Sequence, residues 1–525
     1  GQGPPRKQMV LFVLACCCSL VSPRRPALRM SKSSTPYDTV AAPPTRSSYA
    51  SLLQPRRRRR QLHLSAAPED DRPLVPLSPV RQAACVGSLL ALFTVNQWSR
   101  SLIFYLVDFT DRAGQPAAAV AEASRAFMNV ELGFDQAQYG LLASLGFAAV
   151  FSFASFLAGL AVDKADARTL LPTSGVLWSL AMLWQAAASS FGDVLGSRFL
   201  LGFSQAFCNP AAYVALGRIS APSSRATVLG VYSSGVYIGG GLAALSILLD
   251  GPLGWRGVSQ LAGATGVGVA LIAAVALPSL PPVASEGREE AAGEEAATAQ
   301  QVSALSSLRD DLSELLAPPV VRWLLAASAL RFLAGFALGV WVVPFYRGAF
   351  PDEIGAQFAL LKASVNGVAG AASALGGGAL ADRLSAAEPR ARQWVPAAGS
   401  LVAVPFWLAA LSAPTLQLSL AALFLEYLAA ESWFGPTVAA LQAATPARLQ
   451  GLSQGVFSTL TLVGNLAPLA IGVLLRDQGF ELAPTLGVLV SVLYVAAAAA
   501  FVVAGEAGLE AGPPGAISRE TARDG

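Results

Sequence analysis

Between residues 81 and 525 the chain repeats one pattern twelve times: an apolar run near the roughly 20 residues a membrane helix requires, then a polar break. Within the hydrocarbon of a bilayer only a helix, or a closed barrel, satisfies its own backbone hydrogen bonds, so long apolar runs leave few folds open. The expected spans are 86–108, 136–162, 169–190, 195–217, 225–248 and 258–279, then 320–346, 357–381, 394–412, 417–441, 452–475 and 483–504. Hydrophobic residues make up 54% of the chain and charged ones 13%, with Asp and Glu almost entirely outside the runs. That is the composition of an all-α membrane protein.

The twelve runs read as one unit used twice. Gly159-Leu-Ala-Val-Asp163-Lys164 returns as Gly378-Ala-Leu-Ala-Asp382-Arg383, each closing an apolar run and opening a short arginine-bearing loop. Gly230-Val-Tyr-Ser returns as Gly455-Val-Phe-Ser, Pro210 as Pro436, and Arg100 as Arg331, at offsets of 219, 225, 226 and 231 residues. Offsets this close fit a doubled six-helix unit whose loops have drifted in length, an architecture common in secondary transporters. The expected layout is a leader (1–80), a first bundle (81–280), a linker (281–319), a second bundle (320–505) and a disordered tail (506–525).

Residues 1–67 hold twelve Lys or Arg against one acid, Asp38, and an apolar core beginning at Met9 that is too short to span. They read as a targeting leader of the kind that directs proteins to plastids. The alternative is a cytosolic tail whose arginine run, 56–60, touches anionic lipid, in a plasma or endolysosomal membrane. With the amino terminus inside, the inner loops carry eleven Lys or Arg and the outer loops five, which places both termini and the linker on the inner side. The acidic stretch 285–295 cannot bury a core. After it, Val302, Leu305, Leu308, Leu312 and Leu315 recur at helical spacing and predict an amphipathic surface helix ended by Pro318-Pro319.

Five cysteines form no disulfide framework: Cys16, Cys17 and Cys18 lie in the leader, Cys85 and Cys208 in expected helices. The one histidine is His63, also in the leader. No metal-ligand spacing exists, so no cofactor, metal or enzymatic chemistry is expected, and nothing points to nucleic acid.

The repeated Gly-x-x-x-Asp-Lys/Arg loop, Arg198-Phe-Leu-Leu-Gly202 and the glycines Gly235, Gly239, Gly240 and Gly241 resemble the major facilitator superfamily over nearly all of residues 86–504. The resemblance implies two pseudo-symmetric six-helix bundles, alternating access, and a monomer. It also implies gating by the loop carboxylates Asp163 and Asp382 with Lys164, Arg168 and Arg383. Within the superfamily, Asn96-Gln-Trp-Ser-Arg100, Arg198 through Ala206 and Gly335 through Pro344 are similar to the spinster group, associated with lipid and lysolipid export. Where that group has Asp and Glu as candidate proton carriers, this chain has Ser99 and Gln205.

An arginine at the centre of a membrane helix costs at least about 2.5–3.5 kcal/mol, so Arg100, Arg198 and Arg331 are candidate functional residues. Asn96 and Arg100 share one helical face, as do Arg198, Gln205 and Asn209. By the resemblance, helices 1, 4, 7 and 10 line the cavity, and paired arginines on helices 1 and 7 bind an anionic head group, as in organophosphate antiporters of the superfamily. Guanidinium suits carboxylate or phosphate oxygens. Glu426 and Glu431 are five residues apart in helix 10 and point about 140° from each other, so at most one faces the cavity. Glu431 is the duplicate of Gln205 and the favoured cavity carboxylate, either carrying a proton or pairing with Arg331, and Glu426 is the second candidate proton carrier. Trp341, Asn366, Trp433 and Asn465 are candidate aromatic and amide contacts, and Lys362 is expected to snorkel. The cargo expected is an organic anion or anionic amphiphile, with protons as a possible coupling ion. The alternatives are a phosphate ester exchanged for phosphate, and a non-transporting receptor of the same fold.

Overall fold

The computed structural model describes residues 75–162, 165–221, 225–280, 309–446 and 449–510. The leader up to residue 74, Asp163, Lys164, most of the linker and the tail beyond residue 510 lie outside the described residues. Among the described residues twelve helices, several of them in two pieces, follow one another, with the short helices Ala117–Ala126 and Met128–Leu132 between the first and the second, and no strand occurs. The first half comprises α1 (Pro79–Ser101), α2 (Gln136–Ala143 and Leu145–Val162), α3 (Ala167–Ala187), α4 (Phe191–Gln205 and Cys208–Ile219), α5 (Arg225–Ser233 and Gly235–Leu245, with a last turn from Ile247) and α6 (the part of Ile247–Ala276 after Gly254). The second half comprises α7 (Pro319–Ala349), α8 (Ala356–Ser364 and Gly370–Ser385), α9 (Ala391–Ser412), α10 (Leu416–Ala430 and Phe434–Ala443), α11 (Gln450–Gly464 and Leu466–Gln478) and α12 (Leu482–Glu510). Among the described residues nine helices are long and apolar enough to cross a membrane.

The duplication extends to the places where helices break. α4 stops after Gln205 and α10 passes through a 3-10 turn at Glu431–Trp433, the same point of the repeat. Each break lies just before a proline, Pro210 or Pro436, at the third position of the next helical piece. A proline has no N–H for the carbonyl four residues back and its ring crowds that carbonyl, a cost of about 3 kcal/mol in a continuous helix. α5 breaks at Ser234 and α11 at Asn465, the latter three residues before Pro468. α2 breaks at Ser144, and α8 at the matching level contains a π-helical turn, Val365–Ala369.

Three boundaries differ most from expectation. α1 begins seven residues early because Ser78 caps it, its hydroxyl accepting from the Arg81 N–H at 3.4 Å, with Pro79 in the first position. It also ends early, at Ser101, so Arg100 stands near the outer end of α1 and not at its centre. α12 runs on to Glu510, through residues expected to be disordered, and Glu506 in that extension bonds Arg390 at the start of α9 at 3.0 Å. From the linker helix, residues 309–316 are helical and Leu315 is buried in the core of the second half.

The face bearing residues 102–135 is the outer face by the charge count above, and there the two halves close on each other. α2 meets α11 at two glycines. A Cβ on Gly140 would stand 2.8 Å from the Pro468 carbonyl oxygen, and one on Gly472 2.4 Å from that of Gln136, so only hydrogen fits at either position. Tyr139 donates to the Val340 carbonyl at 2.8 Å and stacks edge-on against Trp341. α5 meets α8 where Asn366 Nδ2 donates to the Gly240 carbonyl at 3.2 Å and to the Tyr105 hydroxyl at 3.1 Å. Arg347, at the end of α7, bonds Asp250 at 3.1 Å and the Tyr105 carbonyl at 3.0 Å.

Candidate functional site

The three arginines singled out by sequence have three different settings. Arg198 is fully buried and spent on the backbone: Nε donates to the Leu142 carbonyl at 3.1 Å, and both Nη atoms to that of Arg100 at 3.3 Å. It therefore ties α4 to α1 and to the end of the first piece of α2, and it presents no face to a cargo, contrary to the expected substrate contact. Arg100 is half-buried and its guanidinium stands over Phe147 (4.5 Å) and Phe151 (5.3 Å) of α2. No hydrogen bond leaves that guanidinium among the described residues. Arg331 is buried, with Nη2 donating to the Ala430 carbonyl at 2.8 Å and lying 3.8 Å from Glu431. Its Nε and Nη1 have no partner among the described residues, and the rings of Tyr494 and Trp433 flank it.

Arg100 and Arg331 are duplicates in sequence, but the fold does not bring them to one level. Arg331 precedes Arg347 by sixteen residues, a rise of about 24 Å. Arg100 precedes by five residues Tyr105, whose carbonyl Arg347 reaches, a rise of about 7 Å. The two guanidiniums thus do not converge on one small head group, as paired symmetric arginines would. The cause is the early end of α1.

The break in α10 decides how its two carboxylates are used. Glu431, in the 3-10 turn, keeps 34% of its side chain exposed beside Arg331. A carboxylate so exposed at membrane depth faces water and not hydrocarbon. Glu426 is buried, with Oε1 accepting from the Tyr494 hydroxyl at 2.5 Å and Oε2 unpartnered. Gln205, the duplicate of Glu431, is buried and donates to the Asn96 carbonyl at 3.0 Å, while Asn96 Nδ2 and Gln205 Oε1 go unused. Asn209 accepts from Tyr232 at 2.8 Å.

The aromatic and amide candidates fall elsewhere. Trp341 is fully buried in the outer closure, its indole N–H on the Pro468 carbonyl at 3.0 Å, and is no cavity contact here. Trp433 is buried among Phe332, Phe434 and Phe457. Asn366 belongs to the closure, and Asn465 is buried with its amide donating to the Thr461 carbonyl. Lys362 does not snorkel: it is 1% exposed and donates to Asn366 at 2.6 Å. Sequence reasoning passed over Asp250 and Tyr105, because their partners lie in other parts of the chain.

At the inner face, Asp382 is exposed and bonds Arg392 of its own half at 3.4 Å, and Arg383 and Arg168 are exposed. Asp166, also passed over, caps α3 and accepts from the Leu280 N–H (2.9 Å) and Ser279 hydroxyl (2.7 Å) after α6. Its partial burial works against ionisation, but the bonds from Arg168, Leu280 and Ser279 outweigh this and hold its carboxyl below the usual range.

An apolar groove of about 720 Å³ opens between α8, α9 and α10, lined by Leu380, Leu384, Trp394, Val402, Leu428 and Ser432. At the outer face a charged vestibule of similar size is lined by Asp108, Arg112, Glu122, Arg125, Asp250 and Arg347.

The family model of the Major Facilitator Superfamily matches residues 89–468. An MFS-type efflux pump of Mycolicibacterium smegmatis is 25% identical over 411 residues, 75% of this chain and 85% of the pump. A hexuronate transporter of Bacillus subtilis is 28% identical over a shorter stretch, 26% of this chain and 31% of the transporter. Among solved structures, a bacterial homolog of the human lysosomal transporter Spinster, inward-facing and unoccupied, superposes with a TM-score of 0.65 at 21% identity, covering 83% of this chain and 99% of that one. A peptide transporter POT bound to alafosfalin superposes at 0.60 with 14% identity, over 80% and 95% of the two chains. With the duplicated bundles and the breaks they share, these matches identify the chain as a multi-pass membrane transporter, not an enzyme, belonging to the major facilitator superfamily.

Proposed function

We propose that this transporter moves an organic anion or anionic amphiphile by alternating access. The observation that carries the reading is Arg100: a permanent cation near the outer end of α1, half-buried, resting on two phenyl faces and bonded to no acceptor among the described residues. Such a group is costly unless water or an anion reaches it. Arg331 adds a second cation nearer mid-membrane, and its loose 3.8 Å contact with Glu431 leaves two donors for a guest. Because the two stand at different depths, they suit an elongated anion or one that passes from one to the other. The apolar groove between α8, α9 and α10 supports an amphiphile, in line with the spinster-like character of the sequence.

Proteoliposome flux tests the reading. Uptake of a radiolabelled organic anion should fall at least about tenfold in both Arg100→Ala and Arg331→Ala, the scale of losing one charge-assisted contact. Unchanged flux in both variants discards the anion site, and binding without net movement favours a receptor.

A further inference from the structure

One cation in the second half is used by none of the above. Lys362, on α8, lies fully buried, its ammonium bonded to Asn366 Oδ1 at 2.6 Å and standing 4.9 Å from the Tyr427 ring. Asn366 sits within the π-helical turn Val365–Ala369, the kind of local rewinding that re-aims a side chain and recurs at functional positions. Its amide crosses to the other half, where it donates to the Tyr105 hydroxyl and the Gly240 carbonyl. Lys362 thus holds one end of a side chain whose other end closes the outer face.

The nearest buried acid is Glu426. It lies within electrostatic reach of Lys362, yet the two form no ion pair within 4.0 Å. The titratable and charged groups around Glu426 are Tyr494 from α12, Lys362 from α8, Arg331 and Tyr346 from α7, and Tyr427 and Glu431 from α10 itself. Of these, Arg331 has only Nη2 engaged, on Ala430 and beside Glu431, and forms no ion pair with Glu426 within 4.0 Å, and Tyr494 fills only Oε1. Oε2 is free to take a proton.

We propose that Glu426 carries a coupling proton and that Lys362 relays its charge state to the outer closure through Asn366. With the proton on Oε2, Glu426 is neutral, Lys362 stays on Asn366, and the closure holds. When the proton leaves toward the inner side, the carboxylate attracts the ammonium at low dielectric. Lys362 then turns from Asn366, the crossing amide loses its anchor, and the outer face opens to load the next proton. The relay rests on alternating access and not on the nature of the cargo. It also places coupling in the second bundle, whereas Ser99 and Gln205 leave the first without an acid at those positions.

Hydrogen exchange on the full chain in lipid nanodiscs, without cargo, tests this. The reporter is Gln136–Ala143 of α2, whose Tyr139 and Gly140 belong to the outer closure and which shares no hydrogen bond with Lys362 or Glu426. In the wild type its protection factor should fall about tenfold between about pH 5 and about pH 9, a typical coupling between two sites. In Glu426→Gln and in Lys362→Met the protection factor should not vary with pH, and in Glu426→Gln it should stay at the wild-type acid value. A flat wild-type profile overturns the proposal, as does a wild-type response surviving in Lys362→Met. Neither result alters the flux defects expected of the Arg100 and Arg331 variants, so the relay and the anion site stand or fall separately.

Discussion

At the scale of single residues, the same side chain type performs opposite tasks according to its acceptors. Arg198 spends its donors on two backbone carbonyls at the outer end of the first half, whereas Arg100 keeps its own uncommitted. Arg198→Ala strands the carbonyls of Leu142 and Arg100 where no water replaces the donor, at about 1–3 kcal/mol each. The expected outcome is a fall in thermal midpoint equivalent to about 3 kcal/mol, with anion affinity of the surviving folded protein little changed. Differential scanning fluorimetry beside a binding assay separates the two effects, and a large loss of affinity at unchanged midpoint would return Arg198 to the binding site. Sequence could find these arginines by their cost in a membrane helix, but not their acceptors, since carbonyls freed by helix breaks leave no mark on residue identity.

At the scale of elements, what positions the site is where helices stop. Pro436 interrupts α10, and the resulting 3-10 turn brings Glu431 beside Arg331 while Glu426 stays buried against Tyr494. The five-residue spacing of Glu426 and Glu431 predicts that at most one faces the cavity; in the fold Glu431 is part-exposed and Glu426 is buried. Asp166 joins the start of α3 to the residues after α6. Because its folded carboxyl titrates below the ordinary Asp value of about 3.9, its contribution is present above that value and is lost as pH falls through the lower folded-state value. Asp166→Ala should therefore lower the thermal midpoint at neutral pH, and the gap to wild type should close only in the acid window below about pH 4. A gap independent of pH would assign the loss to packing. The cap was legible in principle, as an Asp directly before an apolar helix, but its second partner at Leu280 is more than a hundred residues away.

At the scale of the whole molecule, two similar bundles meet through outer contacts that are close, small and few in kind. Gly472 and Gly140 let α2 and α11 approach until backbone meets backbone. Gly472→Ala places a methyl group against the Gln136 carbonyl, so the outer closure cannot form and transport flux should fall about tenfold or more, while spin labels on the outer ends of α2 and α11 move apart. Unchanged label distances would show that the closure tolerates the methyl group. From sequence alone, the apolar period determined an all-helical membrane fold, and the recurrence of Asp, Pro and Arg at near-constant offsets determined its doubling, because both follow from local composition and backbone need. Tertiary structure alone decided which charges are spent and which are open. Depth and partner depend on where α1 ends, on how α8 rewinds at Asn366, and on which carbonyls another helix leaves bare, and each is fixed by packing between segments far apart in the chain.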